Sequence, residues 1–435
     1  MALVTLAQRA VAGRALSESR RLRFATFALL YAAQGIPDAM VLILFPAYLA
    51  AKGASAAAIG AFLATAMIPN AAKLLAGPMI DRVAFLPMGR RKPWLMLGQA
   101  GIAASFAFLA TLTDPVAQLV LFTAGAFAIT LATAFQDVAT DATAMDVIPP
   151  EEQGRANGIM WGAKTLGIAG AASTGALILA QYGFMAMVLA AMAVLLLVLG
   201  LVASIRERPD ERLLPWMRGK AAAFERGDRT ESLAVVFRLL IEAMRKPAAQ
   251  RLVGLSLAIG LLVGMTGALA PVLMVKQFGW VQQDYAQFRS SLKLASGLAA
   301  MLVGGYAIDR FGHRFVLTTT LGTIAVASFA LAFLLSASTA AYFLTAYEIL
   351  LVFTFVTFFA ATMKQCTRAI AATQFSFIMV CGNLTMAAGA ALLGPLIELG
   401  GPSAVLVAVA LVALIGVGMV ARLRVAEIIP AALPA

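Results

Sequence analysis

Twelve runs of roughly 20 mostly apolar residues follow one another along this chain, and nothing constrains its folding more. The first six lie near 24–50, 55–79, 94–112, 116–146, 156–181 and 184–205. The second six lie near 251–275, 286–308, 315–336, 340–363, 370–397 and 403–421. As an α-helix each run matches the hydrocarbon thickness of a bilayer, where every backbone polar group has to be satisfied within its own segment. The expected fold is an all-α integral membrane protein with 12 transmembrane helices in two six-helix, pseudo-symmetric halves. Composition agrees, since 62% of the 435 residues are hydrophobic and 12% charged. Soluble domains sit nearer 45–50% and about 25%, and a soluble chain of this length has too little core to hide the excess.

One long polar stretch interrupts the pattern. Residues 206–251 carry eleven Lys/Arg and seven Asp/Glu, with an amphipathic segment around 233–243. The expected organisation is a tail (1–23), a six-helix bundle (24–205), a central loop (206–250), a second bundle (251–421) and a tail (422–435). The first 23 residues contain five arginines and no apolar core of signal-peptide length, so they read as a retained tail. With both termini inside, 27 of the 33 Lys and Arg fall in inner segments and only Lys52 and Lys276 in outer turns. That asymmetry satisfies the positive-inside rule and assigns both termini to the cytoplasm. It also explains the net charge of +12 without nucleic acid as a partner.

A pattern recurs after the second span of each half. The first copy is Gly77-Pro-Met-Ile-Asp81-Arg82, followed by Gly89-Arg90-Arg91. The second is Gly305-Tyr-Ala-Ile-Asp309-Arg310, followed by Gly312-His313-Arg314, at an offset of 228 residues. Glycine admits close helix contact, and Asp and Arg can pair with each other or with helix ends. A single basic turn is what the positive-inside rule alone would give; two equivalent copies point to a gating element. Two six-helix halves, a polar central loop and these paired turns resemble the major facilitator superfamily. That resemblance implies parallel halves related by an axis along the membrane normal and a substrate site at the midplane. The first copy departs from the family pattern by an insertion at Val83–Met88.

Charges inside the apolar runs are the functional candidates, because each costs on the order of 2.5–3.5 kcal/mol to insert. Asp137 and Asp141 in the fourth span are four apart and share one helix face. Two such carboxylates resist double ionisation, which suits a proton carrier. Lys73 and Lys164 are their natural counter-charges; an ion-pair cluster that only holds helices together is the alternative. In the first span Tyr31, Gln34 and Asp38 surround Gly35-Ile-Pro37, and the proline frees a backbone acceptor where a cavity would be lined. In the second half Arg289 and Lys293 share one face, Glu348 is the acidic residue inside a span, and Gln374 offers a neutral hydrogen-bonding group. Trp161 and Gln136 join the candidate substrate contacts. Proton-coupling candidates are therefore Asp137, Asp141, Asp38 and Glu348. Protonating one or two of them would leave the cavity net positive, which favours an anionic or zwitterionic solute.

A closer resemblance is carried by Gly35-Ile-Pro37, Lys73 to Arg82, Gly89 to Leu95, Gln136-Asp137-Val-Ala-Thr-Asp141-Ala142, Pro150 to Gly154 and Ala372-Thr373-Gln374-Phe375. These stretches look like the AmpG-type muropeptide permeases and their relatives the acetyl-CoA transporters. The resemblance implies proton-driven import of peptidoglycan-derived saccharide–peptides through the bacterial inner membrane, with Lys73, Gln136, Asp137, Asp141 and Gln374 at family positions. Lys164 stands where that group tends to have arginine, and Asp38 where it has an apolar residue. Siderophore importers share the scaffold and supply the alternative substrate. A non-transporting sensor or assembly factor is the alternative class. One histidine and two cysteines, with no P-loop or nucleophile–base set, point away from an enzyme, a metal site and a bound cofactor. The expected species is a monomer working on a small solute and protons in the bilayer.

Overall fold

The computed structural model describes residues 15–54, 56–83, 87–219 and 233–423. Parts of the expected tails and central loop, the arginines 9, 14 and 424, and the core of the Val83–Met88 insertion lie outside the described residues. Among the described residues the chain is helical, with no strand and one isolated bridge between Ala15 and Arg206.

The helices of the first half are α1 (Arg20–Ala39), α2 (Phe45–Ala51), α3 (Ala56–Met67), α4 (Lys73–Arg82), α5 (Lys92–Ala110), α6 (Leu119–Val147) and α7 (Gln153–Ala203). The connector holds α8 (Leu233–Met244). The second half comprises α9 (Pro247–Pro271), α10 (Gln282–Ala299), α11 (Gly305–Phe333), α12 (Ala337–Gln365), α13 (Ala371–Ala391) and α14 (Leu393–Ala421). Nine described helical stretches are long and apolar enough to cross a membrane. Three of them contain a break: α7 at Gly183 (φ +82°), α11 at Gly312 (φ +78°) and α14 at Gly400–Gly401. The second predicted span is split between α3 and α4 by a 3-10 turn at Ile68–Ala72. With those breaks counted, the expected twelve spans are consistent with the observed helices.

A proline followed by a π-helical stretch occurs in the first long helix of each half. Pro37 in α1 is followed by a π-helical stretch, Met40–Leu44, and Pro271 at the end of α9 by another, Val272–Gln277. Proline supplies no N–H to the ladder, and a widened turn absorbs the loss. Irregular backbone at membrane depth survives where protein or a cavity surrounds it. In the first half these irregularities bracket polar residues, since Asp38 adjoins Pro37 and Lys73 follows the 3-10 turn directly.

Two compact units emerge from the packing. Unit 1 comprises Met1–Pro149, Gly158–Phe237 and Arg368–Phe377; unit 2 comprises Pro150–Asn157, Arg238–Thr367 and Ile378–Ala435. Each therefore takes in one short segment from the other half of the sequence. In unit 1, α6 packs along α5 and touches α1, α3 and α4. Phe45, Phe62 and Phe184 gather around Phe122, at 4.9, 5.3 and 5.7 Å between ring centroids, and anchor α2, α3 and α7 on α6. In unit 2, α14 packs on both α9 and α11, and α12 on α10 and α11. Large apolar side chains such as Val120, Val326 and Phe333 remain exposed, as lipid-facing residues do. The connector helix α8 buries Val236, Leu240 and Ala243 and exposes Leu233, Phe237 and Ile241.

Candidate functional site

The polar residues of unit 1 assemble around α6. On α1, Tyr31, Gln34 and Asp38 recur at helical spacing and form one stripe. On α6, Gln136, Asp137 and Asp141 form the stripe that meets it. Tyr31 donates its hydroxyl to Asp141 Oδ1. Gln34 Nε2 donates to Gln136 Oε1 at 2.9 Å. The two helices thus run antiparallel through this region. Lys73 on α4 donates to Asp137 Oδ2, and Lys164 on α7 pairs with Asp38 at 3.2 Å. Gln34, Gln136, Tyr31 and Asp141 are buried; the two lysine–aspartate pairs keep partial access, with Asp38 the most open at 30%.

The direct ion pair of Lys164 is with Asp38, which α1 presents beside its proline break, and its charge also acts on Asp137 and Asp141. Asp137 holds a lysine, whereas Asp141 holds a phenol. With all groups ionised, three carboxylates face two ammonium groups, so the cluster carries one formal negative charge in excess. Among the described residues, the amide pair leaves Gln34 Oε1 and Gln136 Nε2 buried without partners. Trp161 is half-buried three residues before Lys164, on the same face of α7. Gln374 is buried in the first turn of α13, beside Thr373.

In unit 2, Arg289 on α10 donates to Glu348 on α12 at 3.0 Å. Lys293, one turn further along α10, is exposed. Tyr347, next to Glu348, donates its hydroxyl to the Leu262 carbonyl at 2.9 Å.

The two Asp-Arg turns are built alike in outline. Asp81 is buried and accepts from Thr373 N and Thr373 Oγ1, both at 2.7 Å, and from Ala372 N at 3.3 Å. Its carboxylate therefore caps the start of α13, where unsatisfied N–H groups favour a negative charge. Gly77 is required for that approach, because a Cβ there would lie 2.8 Å from Thr373 Cα. The neighbouring Arg82 is exposed; the arginine that meets Asp81 is Arg91, at 2.9 Å. Arg91 is fully buried and also holds Asp146 at 2.9 Å and the Ile80 carbonyl at 2.8 Å. In unit 2, Asp309 meets Arg155 at 2.6 Å, close to the start of α7, while Arg310 is exposed. A Cβ on Gly305 would lie 2.8 Å from Arg155 N, so the second glycine is fixed by the same close approach. In both copies the aspartate docks on a helix start and passes over the arginine beside it in sequence.

Sequence reasoning missed the buried network behind the first turn. The Glu207 carboxylate accepts from the backbone N–H of Arg90 (2.9 Å), Arg91 (2.8 Å) and Lys92, occupying the start of α5. Lys92 Nζ donates to the carbonyls of Ala203, Ile205 and Leu213 at 3.0, 2.6 and 2.7 Å, at and beyond the end of α7. Burial pushes the Glu207 carboxyl above its ordinary range, with Asp146 adding to the effect. Glu211 is pushed up to about 7 by burial and by its neighbour Glu207. The one signal in the sequence was Gly89-Arg90-Arg91-Lys92, which reads equally well as a solvated basic turn.

Among the described residues no cluster of His, Cys, Asp and Glu suited to a metal ion occurs. A family model described as Major Facilitator Superfamily matches residues 27–390. The chain belongs to that superfamily and is a multi-pass membrane protein. The human organic anion transporter MFSD10 (TETRAN) superposes with a TM-score of 0.69 at 16% identity, covering 91% of this chain and 98% of that one. The fucose:proton symporter FucP of E. coli gives 0.68 at 15%, covering 92% and 98%. The proton:xylose symporter XylE gives 0.66 at 14%, covering 92% and 94%. At these identities the likeness is one of fold. An uncharacterized protein of Haemophilus influenzae is 30% identical over 125 residues, which is 29% of this chain and 29% of that relative.

Proposed function

We propose that this protein is a proton-coupled secondary transporter that imports an amphiphilic, carboxylate-bearing solute, of the anhydro-muropeptide class, by alternating access. The observation that carries this reading is the unit 1 cluster, in which Lys73–Asp137 and Tyr31–Asp141 sit side by side within apolar helices. Asp141 has a neutral partner, so it can take up a proton without stranding a cation. That uptake removes the cluster's excess negative charge. A solute carboxylate can then compete with Asp137 for Lys73, and Lys164–Asp38 offers a second exchangeable pair at 3.2 Å. The unpartnered amide groups of Gln34 and Gln136 are complementary to the amides and hydroxyls of a saccharide–peptide. Glu348 is assigned to a secondary proton site with Arg289, and Trp161, Lys293 and Gln374 to solute contact. The turns Gly77-Asp81-Arg82 and Gly305-Asp309-Arg310 are assigned to gating.

The fold likeness to a proton symporter and to an organic anion transporter supports the class, and the charge asymmetry supports an inner-membrane protein with both termini cytoplasmic. The transporting species is assigned as a monomer. Uptake of labelled anhydro-muropeptide into proteoliposomes under an imposed proton gradient tests the proposal. Uptake is expected to collapse with uncoupler, and uptake that ignores the gradient overturns the coupling. Ferric siderophores and acyl-CoA, run in parallel, test the other cargoes carried by the same scaffold. Absence of transport with every solute would favour a sensor or assembly role.

A further inference from the structure

Unit 2 contains a basic cavity apart from the residues assigned above to transport. It has a volume of about 700 Å³ and is lined by Pro247, Ala248, Arg251, Arg314, Ala421 and Arg422. These residues come from the start of α9, from α11 just past its Gly312 break, and from the end of α14. Arg251 donates to the Arg422 carbonyl, and Arg314 donates to the Ala421 carbonyl at 2.7 Å. Among the described residues none of the three guanidinium groups forms an ion pair, and no carboxylate lines the cavity. A guanidinium has five N–H donors, so each carbonyl contact leaves most of them available. Arg251 and Arg314 both reach the end of α14 and, with Arg422, line the cavity; guanidinium groups are complementary to phosphate oxygens, which they bind in bidentate fashion.

We propose that this cavity binds a phosphate-type anion, supplied by the headgroup of an anionic phospholipid. The cavity size favours a headgroup over a bare ion, since roughly 300–1,000 Å³ is what an organic ligand fills. Its position favours the same source, at the ends of three packed membrane helices and on the Arg-rich side that faces the cytoplasm in the orientation proposed above. Arg245 and Lys246 precede the lining residue Pro247 directly and add two positive charges to that segment. They follow α8, whose exposed Phe237 and Ile241 lie one turn apart, as on a helix resting at a bilayer surface. The competing account is that the arginines only cap the carbonyl end of α14. Capping would affect stability but not discriminate between lipids.

Native mass spectrometry of the delipidated full-length protein decides between them. The probes are phosphatidylglycerol, phosphatidylcholine and inorganic phosphate, applied to wild type, to R251Q/R314Q/R422Q, to R314Q and to R314K. Phosphatidylglycerol is expected to be retained at least about tenfold over phosphatidylcholine, and the triple variant to lose that preference. R314Q guards against a triple variant that fails to fold; it is expected to weaken retention while R314K preserves most of it. Displacement of the lipid by millimolar phosphate would assign the site to a soluble anion and keep the anion chemistry. Equal retention of the two lipids by wild type, or undiminished phosphatidylglycerol retention in a folded R314Q or triple variant, overturns the proposal.

Discussion

Within unit 1, chemistry turns on which carboxylate has which partner. Asp141→Asn keeps the shape and the Tyr31 contact but removes the titratable proton. Solute exchange in the absence of a gradient is expected to survive in this variant, and gradient-driven accumulation to disappear. Lys73→Ala leaves Asp137 without its cation and is expected to cost about 2–4 kcal/mol of stability, read as a lowered thermal midpoint. Pairing it with Asp137→Asn is expected to recover more than half of the loss, since both partners of the pair are then gone. The members of this cluster are legible in the sequence because each is a polar residue inside an apolar run. Their pairing is not, since nothing in residue spacing says that Lys164 crosses to α1 instead of α6. Arg91 and Glu207 are harder still. Charged residues in a turn are usually solvated, and only the folded chain reveals that Arg91 is fully buried.

Among the elements, the first Asp-Arg turn depends on how closely α4 approaches the start of α13. Gly77→Val would place branched carbon against the Thr373 backbone, so the Asp81 hydrogen bonds should lengthen or break. Hydrogen exchange at Ala372 and Thr373 is expected to accelerate by at least about tenfold, and unchanged protection would contradict this geometry. The connector supplies a second test through Glu211. Its carboxyl is raised in the folded state to about 7, so the folded protein holds a proton that the unfolded chain releases near 4.5. Stability from this group is therefore complete below pH 4.5 and is lost as pH rises through 7. Stability should fall across that window by an amount on the order of 1–2 kcal/mol, read as a lowered thermal midpoint, and E211Q should flatten the slope. Helix positions were readable from hydrophobic length alone. The π and 3-10 stretches were readable only as prolines, because the way a ladder heals around a missing donor depends on the neighbouring helices.

For the whole molecule, the two Asp-Arg turns share a plan but differ in what surrounds them. The Asp81–Arg91 contact is sealed, both side chains having no exposure, whereas Arg155 and Asp309 keep 44% and 22%. The sequence presented the copies as equivalents, since an offset of 228 residues records a common pattern and not its environment. Counter-ions reach an open pair and screen it over about 8–10 Å at moderate ionic strength, but they do not enter a dry one. Raising the salt should therefore loosen the second turn and leave the first untouched. Two turns of one plan would then respond differently to the same medium, and salinity becomes a setting on one latch alone.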